Sequence, residues 1–185
     1  MPIDLNLLEI EGKRQEYKDY IEEHRKNVKT VWLNILKCPE LRNMVNAGMY
    51  ANQTGTVFEH IISQNIDMHD MSKYSEEEFE PYRRHFHSVN EKEKEESTFD
   101  YGIAWQHHKD NNKHHWQYWS ERHIVNDMPW QYVVEMFCDH AAMSIKFGGT
   151  ALEWFNEQLA NKEIKVGEIQ KTSYLKLAKL YYDKY

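Results

Sequence analysis

From Tyr17 onward, apolar and aromatic side chains recur at Tyr17, Ile21, Val28, Val31 and Ile35, and His24 fills the gap between Ile21 and Val28. The resulting steps of three and four define one face of a helix, so that face predicts a helix over about residues 15 to 37, stopped by Pro39. A second segment, residues 56 to 71, sets Phe58, Ile62, Ile66 and His69 on one stripe. Again a histidine takes an inward position. Ser75 with Glu78 three residues later is a capping-box pattern, predicting a helix through Phe79, Tyr82 and Phe86. The charged run NEKEKEES, residues 90 to 97, reads as an exposed linker, and the acidic run Glu76-Glu77-Glu78 as a solvated face.

Beyond residue 97 the chain reads YGIAWQHHKDNNKHHWQYW, where two His-His pairs flank Asn111-Asn112. This predicts one helix ending and another beginning within a histidine-rich bend. Asn126 and Asp127 before Pro129 open a helix through Trp130, Val133, Phe137 and Met143, with Asp139 inside it and Gly148-Gly149 ending it. Thr150 with Glu153 is a second capping box, and residues 173 to 185 read as a closing helix. With seven glycines and four prolines there is little punctuation for strands, so the pattern predicts an all-α protein. The expected form is a single compact bundle of about seven helices with a core over residues 15 to 147 and a C-terminal helical appendage over 150 to 185.

Composition changes that picture little, but it narrows the function. The chain has 185 residues, long enough for one domain with a substantial core. Its formal charge of −7 argues against gripping a long nucleic acid, which requires a basic face, and leaves a small phosphorylated substrate open. Cys38 and Cys138 have no CxxC spacing, so both are expected as buried thiols. The first residues lack a basic start followed by an apolar core, and no stretch reaches the ~18 apolar residues of a membrane span. The expectation is a cytoplasmic, soluble chain without a membrane partner; a homodimer through the last helix is an open alternative.

The chemistry lies in the histidines. A lone histidine on an apolar face is usually a hydrogen-bonded core residue, but two on separate helices, one followed by an aspartate, form a donor set for a divalent metal. Asp139, in the middle of a later helix, supplies a further donor. For His60, His85, His87, His123 and His140 a surface or core role is the expectation. The aromatic side chains Trp105, Trp116, Tyr118, Trp119 and Trp130 read as packing bulk rather than a base-stacking pocket.

The order His24, then His69-Asp70, then Asp139 resembles the HD superfamily of metal-dependent phosphohydrolases, helical proteins whose metal is held by H…HD…D ligands from separate helices. The intervals of 45 residues (24 to 69) and 69 residues (70 to 139) suit that pattern. Lys73, three residues after Asp70 in MHDMSKYS, extends the match, because many members carry a lysine there that faces a substrate phosphate. More narrowly, the chain is similar to an HD-like family of small bacterial and phage proteins with an HD-x-S-K segment and a histidine-rich bend. The resemblance implies His24, His69, Asp70 and Asp139 as metal ligands and Asp70 and Lys73 as catalytic residues. It departs from mononuclear nucleotidases of this fold, which carry a glutamate shortly after the dyad, where this chain has Lys73.

Binuclear members add two histidines between the dyad and the last aspartate, and His107, His108, His114 and His115 lie in that interval. Neighbours on a helix point about 100° apart, so one of each pair is expected to reach a given centre. His108 follows Ala104 and Trp105 on an apolar stripe and His115 precedes Trp119 by four, which favours those two. The competing reading is a polar surface turn. The implied cofactor is one or two divalent ions (Mn, Fe, Co, Mg, Ni or Zn), and the implied function is hydrolysis of a nucleotide or other small phosphorylated compound, as a phosphohydrolase or phosphodiesterase. The alternatives are a di-iron oxygenase of the same superfamily and a non-catalytic metal-binding helical module.

Overall fold

The computed structural model describes residues 5–47 and 55–185, with side chains from 6–47 and 59–185. Among the described residues there are nine α-helices and no strand. These are α1 (Leu5–Lys37), α2 (Pro39–Asn46), α3 (Gly55–Met68), α4 (Phe79–Phe86), α5 (Glu91–Asn111), α6 (Trp116–Ser120), α7 (Trp130–Phe147), α8 (Ala151–Ala160) and α9 (Glu168–Tyr182). Short 3-10 turns lie at Met71–Tyr74 and Val125–Asp127. The all-α reading therefore holds. The short α2 was not expected, being too brief for a periodicity to register, whereas α6 is the helix that begins after the histidine-rich bend. No described helix is long and apolar enough to cross a membrane.

The chain divides into two compact units. The first comprises residues 1–23 and 70–112, the second residues 24–69 and 113–185. In the first unit α4 packs against α5, and both meet the 3-10 turn at 71–74. Its core is small and aromatic: Tyr17, Ile21, Tyr82 and Ala104 are buried, with Tyr20, Tyr74, Phe79, Tyr101 and Trp105 partly buried around them. In the second unit α7 packs against α3, α8 and α9. Val28, Val31, Ile35, Ile62, Ile66, Phe137, Tyr174 and Leu177 are among its fully or almost fully buried side chains. Both cysteines are free and buried, as expected.

Helix α1 bears out its periodic face, since Tyr17, Ile21, His24, Val28, Val31 and Ile35 are all buried. It starts earlier than expected because its first turns carry good helix formers whose apolar members are exposed, Leu7 at 60% and Leu8 at 57%. Such turns leave no amphipathic stripe to read. In α3, Ile62 and Ile66 are buried as expected, whereas the side chain of Phe58 lies outside the described residues.

Three segments depart from the pattern in detail. Residues 90–97 are not a linker but mostly the first two turns of α5, where the Asn90 side chain accepts from the Glu93 backbone N–H. Glu91 and Glu93 suit the positive end of the helix dipole, and Arg83 clasps Glu93 at 2.7 and 3.0 Å. Ser75 does not cap α4, because Glu78 turns inward instead of back to the Ser75 backbone. Residues 126 and 127 lie in a 3-10 turn, and α7 begins after Pro129. By contrast, the Thr150–Glu153 capping box forms in full. Gly148 (φ 85°) and Gly149 (φ 73°) end α7 in the left-handed region that favours glycine.

Candidate metal centre

In the second unit, four segments each contribute one side chain. His24 comes from α1, His69 follows the last residue of α3, His114 lies in the turn ahead of α6, and Asp139 sits in the middle of α7. The three histidines are 5%, 1% and 1% exposed. Arg25 fixes the junction: its Nε donates to the His69 carbonyl at 3.0 Å and a terminal nitrogen donates to the Asp67 carbonyl at 2.8 Å. Carbonyls at a helix C-terminus lack intrahelical partners, and an arginine next in sequence to His24 satisfies two of them. Lys29 adds an ion pair to Asp67 at 2.6 Å.

The Nε2 atoms of His24 and His69 face each other at 3.2 Å. His24 Nε2 lies 3.1 Å from Asp139 Oδ1, His69 Nε2 lies 3.8 Å from the same oxygen, and His114 Nε2 lies 3.8 Å from Asp139 Oδ2. Ligand atoms of His24, His69 and Asp139 fall within 4.8 Å of one another, as do those of His114, His115 and Asp139. A metal–nitrogen bond of about 2.0–2.1 Å places two ligand atoms of one ion roughly 3 to 3.5 Å apart, so the shorter separations already match a coordination edge. Three imidazoles and one carboxylate suit divalent manganese, iron, cobalt, nickel or zinc better than magnesium, which prefers oxygen. The donor set fits a metal ion.

A fifth group completes the cluster. Glu135, one helical turn before Asp139, is 5% exposed and places Oε1 at 3.1 Å from His69 Nδ1 and 3.0 Å from His114 Nδ1. The rings of His69 and His114 pack with centroids 4.4 Å apart. Burial raises the Glu135 pKa, but the charges and hydrogen bonds of His114 and His69 outweigh it and hold the carboxyl at about 2. Asp139 behaves alike: burial opposes ionisation, yet the hydrogen bond from His24 and the three nearby imidazoles keep it well below the usual carboxylate range.

Other histidines have separate roles. The Nδ1 of His140 pairs with the Tyr174 hydroxyl at 2.9 Å, His85 stacks on Tyr101, and His60 is exposed, in line with surface or core roles.

The first unit holds its own polar cluster. Asp70 is 2% exposed and adopts a left-handed backbone (φ 56°) at the entry to the 3-10 turn. Lys73 Nζ contacts Asp70 Oδ2 at 2.7 Å, and His108 Nε2 lies 3.4 Å from Asp70 Oδ1. Glu78, fully buried, receives His107 Nδ1 on Oε1 and His108 Nδ1 on Oε2, each at 2.7 Å. Burial lowers the His108 pKa, but Asp70 and Glu78 override it, so the value is raised from that of an ordinary histidine.

The structure thus brings the expected His24, His69 and Asp139 together in one unit, and Asp70, Lys73 and His108 together in the other. His115 joins His114 and Asp139, while His114 is the more buried of the pair and the one bound to Glu135. Residues 113–115 form a turn rather than a helix, so the 100° argument for choosing one of the pair does not apply there. Sequence reasoning missed two carboxylates. Glu78 was assigned to a solvated run, although only Glu76 and Glu77 are exposed. Glu135 went unremarked, although a lone carboxylate in the apolar stretch VVEMFC was a visible signal.

A protein-family model described as "Family of unknown function (DUF5662)" matches residues 13–178. Neither the curated proteins nor the solved structures include a match.

Proposed function

The chain belongs to that family of unknown function, DUF5662, and we propose from its own geometry that it is a metal-dependent phosphohydrolase or phosphodiesterase acting on a small phosphorylated compound. The observation that carries the reading is the convergence of His24, His69, His114 and Asp139 within the second unit. When bound, a divalent ion supplies a water whose pKa falls from about 15.7 to about 7 and a positive charge for phosphoryl oxygens. The chain's residues do the rest. His24, His69 and His114 offer nitrogen donors, and Asp139, held ionised, offers the negative charge that retains a dication.

The resemblance to the HD superfamily supports assigning the chemistry to phosphate esters, and the order His69-Asp70-x-x-Lys73 adds the two residues that reading needs beyond the ligands. Asp70 is a carboxylate for a reacting water. Lys73, held by Asp70 at 2.7 Å, is a compact cation suited to a phosphate.

The test is elemental analysis of protein purified without chelator, followed by a phosphatase and phosphodiesterase panel with added Mn²⁺, Co²⁺, Fe²⁺ and Mg²⁺. Turnover that disappears in Asp70→Ala with the helical circular dichroism retained is the expected result. Bound metal without turnover across the panel would reduce the protein to a metal-binding helical module. Two irons with oxygen consumption would move it to the oxygenases.

A further inference from the structure

We infer that Glu135 is the positioning residue of the metal centre: by accepting Nδ1–H from His69 and His114 on one oxygen, it fixes both rings in the tautomer that leaves Nε2 free to bind. The inference rests on the reading of those two histidines as ligands. An ionised carboxylate can only accept hydrogen bonds, so each contact at about 3 Å requires the proton on Nδ1. A neutral imidazole with its proton on Nδ1 has a bare lone pair on Nε2. Those Nε2 atoms are the ones that face Asp139.

The geometry assigns different work to the two carboxylates of α7. Asp139 lies on the Nε2 side of both rings, as a ligand does, and Glu135 lies on the Nδ1 side, where a ligand sharing their ion cannot be. A spacing of four residues on one helix holds the two at a fixed separation. Ring packing at 4.4 Å between His69 and His114 opposes rotation of either imidazole away from Glu135. Carboxylates hydrogen-bonded to ligand imidazoles fix tautomer and orientation, and their loss typically costs about 10- to 100-fold in metal affinity. Here one carboxylate serves two ligands, so a single substitution releases both.

The experiment has two readouts. Long-range ¹H–¹⁵N correlation spectra of the metal-free protein, followed with rising pH until each ring carries a single proton, should show that proton on Nδ1 of His69 and His114. In Glu135→Ala the Nε2–H form should appear at both rings. Competition titration with Zn²⁺ should then show about a 10- to 100-fold weaker affinity in Glu135→Ala. Glu135→Gln keeps the volume and a carbonyl acceptor, so it should lose less, and it carries the test if the alanine variant does not fold.

Native rings protonated on Nε2, or variants that hold Zn²⁺ as tightly as the native chain, overturn the assignment. The two failures look different. A native chain that takes up no Zn²⁺ while both rings stay protonated on Nδ1 overturns the metal centre and leaves the tautomer assignment standing. A chain that binds Zn²⁺ with the opposite tautomers keeps the centre and removes Glu135 from it.

Discussion

Asp139→Asn tests the centre most directly, because Asp139 is the negative donor among His24, His69, His114 and itself. Its ligand-site partners come from α1, the end of α3 and the turn before α6, so an ion that joins them binds the folded chain and not the unfolded one. At a free-ion concentration about 100 times the dissociation constant, such binding adds about 2.7 kcal/mol. For a chain of this length 1 kcal/mol moves the thermal midpoint by about 2–4 °C, so the native protein should gain roughly 5–11 °C. A 100-fold weaker site at the same ion concentration retains about 0.4 kcal/mol, or roughly 1–2 °C.

The metal-free proteins must be compared as well. There the substitution takes a charged acceptor from His24 Nε2, 3.1 Å away, at a cost of about 1–3 kcal/mol. The side chain is 14% exposed, which places the cost towards the lower end. The assay is a circular dichroism melt of both proteins with EDTA and with Mn²⁺, Fe²⁺, Co²⁺, Ni²⁺ or Zn²⁺. An equal rise in native and Asp139→Asn protein, or no rise with any of these ions, would refute the reasoning.

Three further outcomes follow from the same contacts. His114→Ala should weaken Zn²⁺ binding more than His115→Ala in the same competition titration, because His114 is the ring held by Glu135. Arg83, 2% exposed, holds the Glu93 carboxyl below the ordinary glutamate value through hydrogen bonds and charge. A depressed carboxylate stabilises fully above its unfolded value near 4.5 and loses that contribution as pH falls through its folded value. Urea midpoints measured between about pH 5 and about pH 3 should therefore fall more steeply for native protein than for Glu93→Gln. Thr150→Ala removes the cap of α8 and should cost about 1 kcal/mol, a midpoint drop of about 2–4 °C, with metal affinity unchanged.

What could be read in advance divides along a physical line. His24 was legible because it occupied an inward slot in a helical period, and a buried imidazole in an apolar stripe must have a partner. Pro39, the glycine pair at 148–149 and the Thr150 box were legible because each acts on backbone within a few residues. Glu78 was not, since a glutamate beside two exposed glutamates differs from them only through His107 and His108, about thirty residues away in sequence. The division into two units was equally hidden: its crossings fall inside α1, inside the dipeptide His69-Asp70 and just before Lys113, where no linker composition marks them.

Glu135 shows where the next signal lies. Its neighbours Val133, Val134, Met136, Phe137 and Cys138 are all at most 1% exposed, so an ionised carboxylate among them has no solvent to stabilise it and must be paired. The number of imidazoles in the chain left open which ones; the spacing of four to Asp139 put the partner on the same face as the candidate ligand. A lone carboxylate inside an apolar helix, one turn from a candidate carboxylate ligand, therefore points to a hydrogen bond on the far side of the imidazoles that face that ligand, and that is where His69 and His114 place their Nδ1 atoms.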